Sequence, residues 1–497
     1  MSRALLALAR AAAALAVAAP VIAFFARGAL AAPGPIPPSG GVLATTLGSI
    51  VLGGCAAAGA MLLGAPAALV LARRSRATPL VAALVLLPLV VPSYVLAIGW
   101  YPLLGAQGAL GGLFHTPPLY TPLGAGLVQA FQLWPIPALL GAAALRRADA
   151  RLEESAKLLA GRSVALRLAA PGLGAGFAIA FALAVGDFGV SGSFNLATVP
   201  EEIYARYSTL LDARAAAAAA VPLVVALPAL LYFAGRAAGR IRVGEERPWR
   251  GASTLAWCGL AAVVAVALGI PGAHLVRTAG GSVLGAWKGH SAELVESLRA
   301  AGLAVAVAGT LAAIGSGRRG RGAVEVLFLL PFALPGVVTG IGIYALDRAT
   351  KGALRGALGA EGLMVAALAA RVAWVPWKAI DLSLAAGRDA AHEAARVHGA
   401  GGFRRWRGID VPRALPGLIV GLAAAFILAI GEVGAVALLM PPGEMTLSLR
   451  IFDLIHYGYD ADVASLCLLL AACVLAAGGL AAAAAHWRAC ARRSTAR

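Results

Sequence analysis

Two carboxylates, Asp187 and Glu432, each stand between glycines inside an apolar run, in GDFGVSG (Gly186 to Gly192) and GEVGAVA (Gly431 to Ala437). A charge in hydrocarbon is costly, and it marks an ion path, a proton relay or a solute contact unless a neighbouring helix bonds it for packing. The sequence leaves both readings open, and the flanking glycines also permit close helix approach. Arg371 is a third intramembrane charge; the favoured reading is that another helix satisfies it, the alternative that it meets an anionic solute. Lys378 lies nearer the end of the same run and can snorkel to the surface. His456, Tyr457, Tyr459 and Asp460 could ligate a hard metal, but they read better as interfacial anchors. The five cysteines, Cys55, Cys258, Cys467, Cys473 and Cys490, have no metal-ligand spacing and read as small buried groups. His398 reads as a surface contact, and nothing in the sequence has catalytic-triad or zinc spacing.

A second pair of features is polar. ESAKLLAGRSVALRLAAP (Glu154 to Pro171) and EAARVHGAGGFRRWRGIDVP (Glu393 to Pro412) share an acidic, Ala-rich helix start, a glycine, a basic run and a proline. Glu393, Ala394 and Ala395 favour helix. Gly399 permits a sharp bend. Arg396, Arg404, Arg405, Arg407 and Arg413 hold the segment at the cytoplasmic surface. Pro412 presets the entry to the next span. The expectation is a short helix, a turn and a second short helix lying under a membrane bundle. One such loop would be an ordinary lipid-facing anchor; two at matched positions point to a docking element for a partner.

These features sit on membrane spans. The chain has 497 residues, of which 60% are hydrophobic and 13% charged, with mean hydropathy +0.84. Soluble chains are about a quarter charged. A span needs ~20 apolar residues, and runs of that kind lie near 11–31, 43–71, 79–103, 120–145, 171–195, 215–235, 253–275, 300–316, 323–345, 362–386, 414–440 and 461–487. The net charge of +18 would suggest nucleic acid in a soluble protein. Its distribution excludes that: with the N-terminus inside, 29 of the 41 Lys and Arg fall in inner segments, which places both termini in the cytoplasm. Arg10 interrupts the first apolar run, which is long for a signal peptide, so an uncleaved first helix is expected.

The chain repeats itself. LPLVVPSYV (Leu87 to Val95) matches LPFALPGVV (Leu330 to Val338) at an offset of 243, pairing Pro88 with Pro331 and Pro92 with Pro335. Proline within a span removes a helix hydrogen bond and is expected to kink it. The organisation expected is a first half at 1–240, a cytoplasmic linker at 241–252 and a second half at 253–497, with about six spans each. An even number of spans per half gives parallel repeats and a shared axial pathway. The fold class is an all-α polytopic membrane protein of about 12 transmembrane helices in two parallel pseudo-repeats.

The order Glu393-Ala394-Ala395, Gly399, Ile409, Val411, Pro412 resembles the EAA loop of binding-protein-dependent ABC transporter permeases. The first copy departs from it: Ser155 replaces the first alanine, Ala160 holds the glycine position with Gly161 next, and Pro171 comes two residues early. With EEIYARYSTL (Glu201 to Leu210) and TLSLRIFDLIHYG (Thr446 to Gly458), the two halves look like fused permeases of the iron(III) type, to which thiamine and phosphonate permeases are related. The resemblance implies a type I importer permease in a bacterial inner membrane. Its partners would be two copies of a cytoplasmic ABC ATPase and a solute-binding protein. ATP and Mg would sit on the ATPase, for this chain has no GxxxxGK[ST] phosphate loop, no cofactor and no enzyme activity of its own. The docking residues would be Glu154, Ala156, Gly161, Glu393, Ala394, Ala395, Gly399 and Pro412. Candidates for the pathway are Asp187, Glu432, Arg371, Pro92 and Pro335. Iron(III) is the first expectation for the solute, with thiamine, a phosphonate or a polyamine as others. A proton-coupled secondary transporter is the competing class.

Overall fold

A computed structural model describes residues 3–31, 41–73, 78–148, 150–160, 163–239, 254–316, 321–385, 388–457 and 460–494. The linker expected at 241–252, Gly161 and Tyr459 lie outside them. The described residues are helical, without strands. The first repeat contains α1 (Arg3–Leu30), α2 (Gly41–Ala72), α3 (Thr78–Val90), α4 (Ser93–Ile98), α5 (Tyr101–Leu104), α6 (Pro122–Leu133), α7 (Pro135–Arg147), α8 (Ala150–Ala160), α9 (Ala165–Val185), α10 (Phe188–Ser193), α11 (Val199–Ser208) and α12 (Ala213–Gly239). The second contains α13 (Thr254–Val264), α14 (Ile270–Ala279), α15 (Val283–Gly315), α16 (Arg321–Ala333), α17 (Gly336–Ala349), α18 (Ala353–Val372), α19 (Trp374–Ala385), α20 (Arg388–Val397), α21 (Gly402–Arg405), α22 (Val411–Ile430), α23 (Leu447–Ile455) and α24 (Asp460–Ser494).

Among the described residues, eight helices are long and apolar enough to cross a membrane, or ten if each of two bent pairs counts as one span. The other two expected spans are the run at 79–103, divided into α3 and α4, and the run within α24. The span expected at 300–316 is the second part of α15, whose 33 residues bend at His290 (φ −126). Alanine and glycine dominate the buried faces, so backbones approach closely, which is how packing substitutes for the hydrophobic effect in lipid.

Pro92 and Pro335 divide their spans instead of kinking them, whereas Pro88 and Pro331 stay inside α3 and α16. Pro92 (φ −55, ψ 146) and Pro335 (φ −53, ψ 142) are extended, and each stands just before a new helix. The axes of α16 and α17 diverge by 106°. Proline has no N–H for the helix ladder and forces the preceding residue out of the α region, so two effects act at one point. A milder break of 48° separates α6 from α7 at Trp134. Pro171, expected to open a helix, lies inside α9, which starts six residues earlier at Ala165.

The repeats interlock. Helix α1 packs on α16 and α17 of the second repeat, and α13 and α14 pack on α2 and α4 of the first. Glycine makes both contacts possible. A Cβ on Gly342 would lie 1.9 Å from the Pro20 carbonyl oxygen, and one on Gly99 would lie 2.2 Å from Pro271 Cβ. Gly342→Val and Gly99→Val should each lower stability by roughly 2 kcal/mol or more, because backbone must shift to admit the side chain. Thermal melting of the purified chain in lipid nanodiscs measures this; unchanged midpoints would show that the interlock carries little.

Candidate functional site

The two matched acids of the repeat stand at chain breaks, not midway along helices as their spans suggested. Helix α9 stops at Val185 and α22 at Ile430, and a carboxylate follows one glycine later in each. Asp187 is the N-cap of α10: its Oδ1 accepts the Val190 N–H at 3.2 Å, and its Oδ2 accepts from Gln129 Nε2 at 2.9 Å. Glu432 repeats the pattern, with Oε1 accepting the Ala435 N–H at 3.2 Å and Oε2 standing 3.5 Å from Arg371 Nε. A helix start exposes unsatisfied N–H groups, and a side-chain oxygen three residues back is their usual acceptor. The acids are therefore used in holding the breaks.

Arg371 serves the break at Pro335. Without an N–H on Pro335, the carbonyl of Pro331 has no helical donor. The buried guanidinium supplies one: Arg371 Nη1 donates to the Pro331 carbonyl at 3.0 Å and also to the Phe332 carbonyl. Gln132, at the matched place in the first repeat, donates through Nε2 to the Val91 carbonyl at 2.9 Å, beside Pro92. Lys378 pairs with Glu325 of α16.

The two breaks meet across the repeats. A Cβ on Gly431 would stand 3.0 Å from Pro92 Cγ, and one on Gly186 would stand 3.7 Å from Pro335 N. A cavity of about 130 Å³ lies between them, lined by Pro92, Gln132, Asp187, Arg371 and Glu432 among others. All of the intramembrane candidates except Pro335 thus border one space, and Pro335 adjoins it through Gly186. Tyr94 and Gln129 were not apparent from sequence. Gln129 has a visible signal, an amide three residues before Gln132 in an apolar run; Tyr94 had none beyond following Pro92.

The polar hairpins lie together in topology, each between the end of one span and the start of another. In α8, Glu154 is exposed and Ala156 half-buried, with Leu158 and Leu159 exposed at 86% and 89%. In α20, Glu393 and Ala394 are exposed, Ala395 is half-buried, and Val397 is 84% exposed. Gly399 takes φ +71, and the Ala400 N–H reaches back to the Ala395 carbonyl at 2.9 Å, a left-handed cap that stops α20. The second short helix expected under the bundle is different: residues 402–430 form one continuous helix, with a π turn at Trp406–Asp410 just before Pro412. Pro412 cannot donate to the ladder, and the wider π turn sits where that donor is missing.

The residue before each hairpin glutamate closes the hairpin, a role that the sequence reading passed over. Glu153 is buried and accepts from Ser163 Oγ at 2.7 Å and from the Val164 N–H at 2.8 Å. Burial raises its pKa, but these bonds and Lys157 together outweigh it and hold the carboxyl below its usual range. His392 in the other copy meets Asp410 Oδ1 at 3.0 Å. His398 bonds the Ala394 carbonyl and is exposed. Among the described residues no cluster of His, Cys, Asp or Glu is placed to hold a metal ion.

Residues 306–486 match the family described as "Binding-protein-dependent transport system inner membrane component". The putative 2-aminoethylphosphonate transport system permease protein PhnV of Salmonella typhimurium is 30% identical over 154 residues, 30% of this chain and 56% of that protein. A probable molybdenum ABC transporter permease protein of Haloferax volcanii is 34% identical over 221 residues, 42% of this chain and 74% of that protein. The molybdenum transport system permease protein ModB of Mycobacterium tuberculosis is 33% identical over 186 residues, 34% of this chain and 70% of that protein. The chain thus spans little more than half the length of the phosphonate relatives it matches.

Two outcomes follow from this geometry. Asp187→Asn keeps an N-cap oxygen and should keep stability close to the parent, whereas Asp187→Ala should cost about 1–2 kcal/mol; equal thermal midpoints would mean that the cap is not what the acid provides. Because Glu153 has a lowered pKa, its contribution is present above the unfolded-state pKa and is lost as pH falls through the folded one. The Val164 amide, which donates to Glu153, should therefore lose hydrogen-exchange protection on acidification to that range, and in Glu153→Ala it should be unprotected at neutral pH as well.

Proposed function

The chain belongs to the binding-protein-dependent ABC transporter permeases, and we propose that it is the whole membrane pathway of an ATP-driven importer, two permease halves in one polypeptide. Its named relatives are transport permeases and not enzymes. The observation that carries the reading is the pair of hairpins, α8 and α20, each with an exposed glutamate beside exposed aliphatic side chains. In this reading 1–240 and 253–497 are the halves and 241–252 the linker. The excess of Lys and Arg in those segments supports a cytoplasmic position for the hairpins and both termini, in what would be a bacterial inner membrane.

Each hairpin would seat in one of two ATPase copies, with Glu154 and Glu393 reaching basic groups there and Leu158, Leu159 and Val397 filling an apolar groove. ATP and Mg would be held by those partners. Closure of the ATPases moves the hairpins, and α9 and α22 carry the movement to the breaks at Asp187 and Glu432. ATP must favour the open state for this to drive transport. Solute would reach the outer mouth on a binding protein and pass between Pro92 and Pro335 as their contacts with Gly431 and Gly186 separate.

For the solute we favour a small oxyanion of the phosphonate or molybdate class, on the ground that the relatives' names specify 2-aminoethylphosphonate and molybdenum. Their names give no support to iron(III), the first expectation from sequence, or to thiamine or a polyamine. The cavity is compatible with an anion, since both carboxylates are engaged by N–H groups and side-chain donors, and Arg371 borders the same space. That engagement also weakens the proton-coupled alternative, which needs a carboxylate free to exchange protons.

The test is purification of the tagged chain from native membranes with its partners, followed by uptake of radiolabelled molybdate, 2-aminoethylphosphonate and iron(III) in cells. A P-loop ATPase should co-purify and be lost on Glu393→Lys, and oxyanion uptake should fall at least tenfold. A chain that emerges alone beside an intact control importer overturns the importer reading, and iron(III) uptake alone overturns the solute class.

A further inference from the structure

We propose that Ser49 and Ser297 are positioning residues of the transport pathway, each pinning the first turn of the short helix that follows a capped break. The inference rests on the importer reading for its purpose, but its geometry is independent of any partner. Ser49 Oγ accepts the Val199 N–H at 2.8 Å, and Ser297 Oγ accepts the Leu447 N–H at 2.7 Å. Each bond links residues 150 apart in sequence, and each serine is buried. The same bond made twice, between elements that match at an offset of 248 (Ser49 with Ser297, Thr198 with Thr446), is a feature that both repeats keep.

The reason is physical. Val199 and Leu447 are the first residues of α11 and α23, so their N–H groups have no partner within the helix. A buried donor needs an acceptor. From Asp187 to Val199, and from Glu432 to Leu447, the chain is held at one end by a cap and at the other by a serine.

The pinned helices reach the opposite break. Phe452 of α23 stacks on Phe188, the residue after Asp187, at 5.6 Å between ring centroids. Tyr207 of α11 meets Tyr344 of α17 edge to face at 6.4 Å. Releasing a pin therefore loosens the segment beside the cavity and its contact with the other repeat.

The two pins are not equally supported. In the second repeat, Arg450 of α23 also pairs with Glu293 of α15 at 3.3 Å, and Ser297 Oγ donates to the Glu293 carbonyl. In the first repeat, the ion pair of α11 is internal, Glu202 with Arg206. The first repeat relies instead on close approach: a Cβ on Gly48 would stand 2.1 Å from the Ala197 carbonyl oxygen. Loss of Ser49 should therefore be the more disruptive.

Cys467 reports the movement. It is fully buried on α24, which packs against α23. The full chain with Cys467 as its sole cysteine, the others changed to alanine, is placed in nanodiscs and labelled with a membrane-impermeant maleimide. Ser297→Ala should raise the labelling rate roughly fivefold to tenfold, as expected when one buried donor loses its acceptor, and Ser49→Ala by less, because α23 and not α11 is the helix packed on α24, while the thermal midpoint should fall further in Ser49→Ala. Thr339→Ala serves as the control, since Thr339 is equally buried but bonds within its own helix, to the Gly336 carbonyl. Parent-like labelling in both serine variants overturns the proposal, and so does equal acceleration in Thr339→Ala, which would signify general loosening. The measurement needs no ATPase or solute, so its failure leaves the importer reading untouched, and failure of co-purification leaves the pins untouched.

Discussion

Hydrocarbon offers no water to a broken helix, and this structure is organised around that fact. A helix that stops within the bilayer exposes carbonyls at its end, and the next helix exposes N–H groups at its start. The chain breaks at Pro92, Pro335, Asp187 and Glu432, and a specific group meets what each break exposes. Gln132 and Arg371 donate to carbonyls beside the prolines. Asp187 accepts from the first turn of α10, and Glu432 from the turn that follows it. The cost of an intramembrane charge is met because the alternative, an unsatisfied backbone group in a low-dielectric interior, is also unfavourable.

The repeats solve one geometry with different chemistry. Gln129 and Gln132 bond the first break without a charge, while Arg371 bonds both a carbonyl and Glu432 in the second. A duplicated architecture thus tolerates divergence so long as donors and acceptors remain in the same places. The hairpins behave likewise. Glu153 closes one with a hydroxyl and a backbone N–H, and His392 closes the other with Asp410. Difference between the halves therefore carries no signal that either has lost its role.

Much of this was legible in the sequence, for identifiable reasons. Span number followed from apolar run length, since the bilayer fixes what a run must be. The repeat followed from paired prolines and paired Gly-acid-x-Gly motifs, which survive because few residues can make those breaks. The left-handed turn at Gly399 followed from the glycine itself. What sequence could not supply was the partner of each polar group. Whether Asp187 lay in a solute path or in packing depended on Gln129, 58 residues away, and no local pattern encodes that distance. Pro92 and Pro335 read as kinks because a proline constrains its own φ and its neighbour but does not say how far the next helix will turn. Ser49 and Ser297 were silent because a serine in a helical stretch looks the same whether it bonds only its own helix or a distant one as well.

The reciprocal packing of α1 and of α13 with α14 bears on how the chain is made. Pro20 settles against Gly342, which leaves the ribosome 322 residues later. At ordinary synthesis rates that interval is roughly 15–65 s. Through that time α1 sits in lipid or against the insertion machinery with its alanine-rich face toward α16 and α17 uncovered. Biogenesis of the first repeat is thus incomplete until the second has been threaded. A ribosome stalled midway would leave a half that membrane proteases can recognise, giving quality control a clear criterion for an unfinished molecule.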